Sequence, residues 1–111
     1  TVQELSKKIG SNPYEFAYQS AAISKEPWLG PDAGAVIKRL AANGHRHILI
    51  APIGFVCEHV EILYDIDIDY KNQAEALGVH LERIEMLNTS PKMINGLAEM
   101  VCDVAKEYQW L

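Results

Sequence analysis

One stretch limits this chain more than any other. His47-Ile48-Leu49-Ile50-Ala51-Pro52-Ile53 is nearly continuously apolar and runs into Gly54 and then a long segment full of carboxylates. A short unbroken apolar run of this kind is the signature of a strand buried on both faces of a parallel sheet. In open α/β sheets, ligands sit outside the carboxyl ends of the strands. The loop over residues 52–58 falls at that position, so any chemistry is expected to begin there.

The other elements fit the same plan. Residues 1–10 read as a short helix with Val2, Leu5 and Ile9 on one side and Gly10 at its end. Residues 14–21 alternate as a strand, with Tyr14, Phe16 and Tyr18 between Glu15, Ala17 and Gln19. Pro31 suits the first position of a helix, and Asp32 favours its positive end. That helix carries the apolar stripe Val36, Ile37, Leu40 and Ala41 and stops at Gly44. Residues 80–86 read as a further strand, with Glu82 outward and Leu81 or Ile84 inward. Ser90 and Pro91 open a last helix whose buried stripe is Met93, Ile94, Leu97, Val101, Val104 and Ala105. The order α-β-α-β-α-β-α implies a three-layer α/β domain, a parallel sheet with helices on both faces, over residues 1–111.

The acidic segment reads two ways. Residues 62–70 alternate like an Ile-rich strand. As a helix, Ile62, Leu63, Ile66, Tyr70, Ala74 and Leu77 form one stripe and Gly78 supplies the stop. Length favours the helix, because strands seldom pass ten residues. On it, Glu61, Asp65 and Asp69 stand at i, i+4 and i+8, a ridge about 12 Å long. None of the three has a Lys or Arg three or four residues ahead, whereas Asp67 has Lys71. Adjacent like charges cost a helix roughly 0.2–0.5 kcal/mol per pair. A ridge without basic neighbours suits a cation better than it suits the helix.

The string from Pro52 to Asp67, P-I-G-F-V-C-E-H-V-E-I-L-Y-D-I-D, resembles the second half of ferrochelatase. There P-I-[GA]-F-x-S-D-H-x-E-x-L-Y-[DE]-[IL]-D opens the main active-site helix. Tyr18-Gln19-Ser20 and Trp28-Leu29-Gly30-Pro31 match further strings of that family. The departure is Cys57-Glu58 in place of the usual Ser-Asp. It either weakens a hydrogen bond near the site or adds a soft metal ligand. The resemblance implies a chelatase-like half-domain and a helical acidic segment. It also implies insertion of ferrous iron into a porphyrin, protoporphyrin IX or coproporphyrin III, in heme biosynthesis.

That chemistry removes two pyrrole protons and delivers a metal. It needs a base, a metal route and apolar walls. By resemblance, Glu61 is the active-site glutamate, a proton acceptor or metal-site residue, and His59 supports it. Asp65 and Asp69 continue from Glu61 along the helix and would hold a second, hydrated divalent metal or conduct metal or protons. Phe55 and Trp28 are candidate porphyrin walls; each could equally be a packing residue. Asp67 reads as a solvated ion-pair member, and His45, His47 and His80 as ordinary surface or strand-end residues. Ferrochelatases place the porphyrin between two similar halves. The family's metal-binding and catalytic His lies in the first half, in a Ser-x-His-Gly-[Ile/Leu/Met]-Pro motif that this chain does not contain.

Composition narrows the rest. The net charge of −5 argues against a nucleic-acid or anionic-membrane surface. No apolar run reaches transmembrane length, and the first residues do not resemble a secretory signal. Without an initiator Met, the chain reads as a processed end or an excised fragment. Two cysteines, Cys57 and Cys102, suit reduced thiols in a cytoplasmic protein and are too few for an iron–sulfur cluster. At 111 residues the chain forms one modest core, burying roughly 65% of its unfolded surface. Two functions remain. One is a lyase half-domain that lacks a complete active site alone and pairs with a first-half domain or with a second copy of itself. The other is a non-catalytic half that binds metal or heme. A flavodoxin-like domain is disfavoured, since no Gly-rich phosphate loop is present.

Overall fold

The computed structural model describes residues 1–19 and 29–111. In chain order it contains α1 (Val2–Ile9), α2 (Ala33–Ala42), β1 (His47–Ile50), a π-helix (Glu61–Tyr70), α3 (Lys71–Ala76), β2 (His80–Arg83) and α4 (Pro91–Glu107). β1 and β2 pair in parallel, with His47 opposite His80 and Ile50 opposite Arg83. The π-helix and α3 form the crossover between them, as a parallel pair requires.

The core lies on one face of this sheet. Ile37 and Ala41 of α2, Ile62, Ile66 and Tyr70 of the π-helix, Ala74, Val79, Leu81 and Met86 form one buried cluster, with Ile48 and Ile50 packed against it. The opposite face presents His47, Leu49, His80 and Glu82, and Leu49 is 67% exposed. The expectation of a strand buried on both faces is therefore corrected. β1 alternates in and out because helices cover one side only among the described residues. α1 and α4 bury no residue at all. The stripe expected to seat α4 is open, with Ile94, Leu97, Val101 and Val104 all exposed.

Two further expectations change. Residues 14–19 form no strand. Tyr18 makes one parallel bridge to Asp32, donating to the Pro31 carbonyl (2.8 Å) and accepting from the Ala33 amide (2.8 Å). Its neighbour is the lead-in to a helix rather than another strand, so no ladder can propagate. Ser20 and Ala21 lie outside the described residues. Pro31 is not the first helical residue. Asp32 caps α2 instead, its Oδ2 accepting from the Ala35 amide at 3.0 Å. At α4 the expected cap holds, with Ser90 Oγ accepting from the Met93 amide (3.4 Å).

The acidic segment is helical, but its first ten residues are wound with i→i+5 bonds; the Lys71 amide, for example, donates to the Ile66 carbonyl. The burial pattern explains why. The buried positions are Ile62, Ile66, Tyr70 and Ala74, a strict spacing of four. On an α-helix, four residues overshoot one turn by about 40°, so this stripe would wander around the axis. A wider helix keeps it aligned. Leu63 and Leu77, expected in the stripe, fall outside it and are 47% and 41% exposed.

Candidate functional site

The loop after β1 turns at Ile53, whose amide donates to the Ala51 carbonyl at 2.9 Å. It delivers Phe55, His59 and Glu61 to the start of the π-helix. The Phe55 and His59 rings meet edge to face with centroids 4.1 Å apart. His59 Nδ1 accepts from the Glu61 backbone amide at 3.2 Å. The imidazole thus satisfies a free amide at the helix start, a task usually given to Ser, Thr, Asp or Asn. With Nδ1 engaged as acceptor, the proton of the neutral ring sits on Nε2. That Nε2 atom is buried and has no hydrogen-bond partner among the described residues. It is a donor in want of an acceptor, a condition worth about 1–3 kcal/mol. Gln19 adds a third tie, its side-chain amide donating to the Glu61 carbonyl at 2.9 Å. The Glu61 carboxylate itself is exposed.

The other two ridge residues lead elsewhere. Asp65 and Asp69 line a cavity of about 360 Å³ together with Asp32, Gly34, Lys38, Tyr70 and Gln73. Gly34 makes that approach feasible: a Cβ there would lie 3.1 Å from Asp32 Oδ2 and 3.4 Å from both Gln73 Oε1 and Tyr70 Cε1. Asp69 accepts from Gln73 Nε2 at 3.1 Å. The sequence-predicted residues therefore divide into an apolar and imidazole group with Glu61 at the head of the helix, and an acidic cavity farther along. Lys38, on α2, brings a positive charge to that cavity which helix spacing alone does not reveal. Among the described residues, no three His, Cys, Asp or Glu side chains converge as a ligand group for a metal ion. Trp28 lies outside the described residues.

Asp67 is not the partner of Lys71. Lys71 Nζ bonds Glu82 at 3.2 Å, and Arg83 takes Asp67 with two bonds of 2.6 and 2.8 Å. Arg83 also reaches Glu58 at 3.2 Å. Neither Arg83 nor Asn88, which binds the same loop, carries a periodicity or motif signal. Only the fold brings them to the site. The Arg83 hydrogen bonds hold the Asp67 carboxyl below its ordinary range, against the opposing effect of burial and with help from the charges of Arg83 and Lys71. A depressed carboxyl contributes stability that is complete above its unfolded pKa, about 3.9, and is lost as pH falls through the folded value. Asp67→Asn is expected to flatten the acid limb of stability below about pH 4. Urea midpoints across that range check this; parallel limbs for the two proteins would refute it.

A parallel βαβ unit defines an α/β domain, with the candidate residues at the carboxyl end of β1, where open sheets of this class seat ligands. The comparisons with known proteins narrow the class. The ferrochelatase family model matches residues 1–105, and this chain belongs to that family. A ferrochelatase of Herpetosiphon aurantiacus is 49% identical over 88 residues, 79% of this chain and 29% of that protein. One from Acidobacterium capsulatum is 42% identical over 101 residues, covering 90% and 31%. A coproporphyrin III ferrochelatase of a Geobacillus species is 39% identical over 102 residues, covering 91% and 33%. The chain spans about a third of the length of these relatives. No helix among the described residues is long and apolar enough to cross a membrane.

Proposed function

We propose that this chain is the C-terminal half-domain of an enzyme that inserts ferrous iron into a porphyrin. It would supply one wall of the cleft and the acidic helix. The observation that carries this reading is the assembly of Phe55, His59 and Glu61 at the carboxyl end of β1. Glu61 accepts pyrrole protons or holds the incoming iron. His59 orients the Glu61 backbone through Nδ1. Phe55 and Trp28 flank the macrocycle. Asp65 and Asp69 hold a hydrated cation or pass ions toward Glu61. The open faces of α4 and β1 suit a chain that completes its core, and its second helical layer, against another domain. The radius of gyration of 17.7 Å, against about 13 Å for a compact chain of this size, supports the same view.

A second reading is a half-domain that binds metal or heme without joining them. Turnover decides between them. The native particle mass is measured first, then ferrous insertion into protoporphyrin IX and coproporphyrin III by visible absorbance. The enzyme reading expects metallation by an assembled particle, either a homodimer or a complex with a first-half domain. Uptake of metal or porphyrin by such a particle, with no metalloporphyrin formed, would leave the binding reading.

A further inference from the structure

Two residues outside the Phe55–Glu61 segment fasten it to the rest of the fold. Arg83, the last residue of β2, donates through Nε and Nη2 to Asp67 in the middle of the π-helix and through Nη2 to Glu58 in the turn before it. Its Nη1 donates to the Ile84 carbonyl at 3.1 Å, and its side chain is mostly buried. Asn88 grips the same turn twice. Its Oδ1 accepts from the Glu58 amide at 3.0 Å, and its own amide donates to the Val56 carbonyl at 2.8 Å. Asn88 has φ of 46°, a left-handed conformation that Asn tolerates better than most residues. One backbone twist thus aims two bonding groups at one turn.

The consequence is geometric. A guanidinium is a rigid planar fork, so a residue that holds Asp67 on two prongs and Glu58 on a third contact sets the separation of turn and helix. His59 and Glu61 lie between those two anchor points in the chain. We infer that Arg83 and Asn88 are positioning residues, which together set where the His59 ring and the Glu61 carboxylate are presented. This rests on the reading above that Glu61 acts on the proton or the metal. Neither Arg83 nor Asn88 reaches the reacting atoms.

The test uses this chain labelled with ¹⁵N. Asn88→Gly keeps the positive φ and deletes the acceptor, whereas Asn88→Asp keeps both. Arg83→Met deletes the fork. Asn88→Gly and Arg83→Met are each expected to speed amide exchange at Glu58 and Glu61 on the order of tenfold relative to the Ile66 and Leu81 amides. Both variants should also move the His59 ring ¹⁵N shifts, and Asn88→Asp should restore the original values. Unchanged exchange and ring shifts would overturn the inference. So would an equal acceleration at Ile66 and Leu81, which would mark a contribution to general stability only. If Arg83→Met does not fold, the Asn88 pair decides alone. Metallation by the unaltered particle is followed in parallel. Its absence would count against the proposed function and leave the exchange comparison to decide the positioning role.

Discussion

Ile66→Ala is expected to destabilise the domain by about 3–4 kcal/mol. The side chain is 1% exposed and sits at the centre of the only buried cluster among the described residues, between Ile62 and Tyr70 on the same face. Deleting three carbons there forfeits their transfer from water. It also leaves a cavity that a rigid helix–sheet contact closes poorly. A domain of this size typically has about 5–15 kcal/mol to lose, and this one buries few side chains, so most of its cooperativity should go. Leu63→Ala is the internal control. An α-helical stripe would place Leu63 beside Ile62 and Ile66 in the core; the π-helix turns it toward solvent. Its replacement should cost no more than about 0.5 kcal/mol. Urea unfolding of the two variants reads the helix geometry directly, and equal losses would contradict it.

Glu61→Gln is expected to lower ferrous insertion by about 10²–10⁴-fold in the particle that metallates. Gln keeps the shape and the exposed position but cannot accept a pyrrole proton or neutralise an incoming cation. The backbone bonds of Glu61 to His59 and Gln19 do not involve its carboxylate, so the helix start should survive. Initial rates of metalloporphyrin formation, with porphyrin binding followed separately by fluorescence quenching, check this. Loss of turnover with binding retained is the expected pattern. Unchanged turnover would remove Glu61 from the chemistry.

The split within the acidic ridge bears on Asp65 and Asp69. Their cavity also contains Lys38 of α2, which offsets one of the three carboxylates there, Asp32, Asp65 and Asp69. Asp65→Asn and Asp69→Asn should therefore have smaller effects on turnover than Glu61→Gln. Rates measured with and without added Mg²⁺ on all three variants test that order.

Much of the arrangement is written in local pattern. The order of helices, the cap at Ser90, the stop at Gly78 and the strand at His47 follow from residue preferences that act over three or four positions. The motif from Pro52 to Asp67 marks Phe55, His59 and Glu61, because their placement depends on a short loop and a helix start. The winding of the acidic helix is less apparent, although its signal is present. Apolar residues at strict fours and acidic residues at strict fours run side by side, a pattern an α-helix cannot keep in line.

What depends on distant segments had to come from the fold. Arg83 is sixteen residues from Asp67 and twenty-five from Glu58, and nothing in its own neighbourhood marks it. Lys71 has Asp67 at helical spacing but is drawn to Glu82, since Arg83 occupies Asp67 with a better-matched fork. Burial of β1 on one face rather than two, and the open stripe of α4, were likewise decided by which elements pack together. The sequence by itself determined most of the elements, the family motif and the residues at the head of the helix, because these rest on short-range geometry. The tertiary structure alone decided the ion-pair partners, the separation of Glu61 from the acidic cavity and the faces left exposed. Charge pairing and burial are properties of what meets in space.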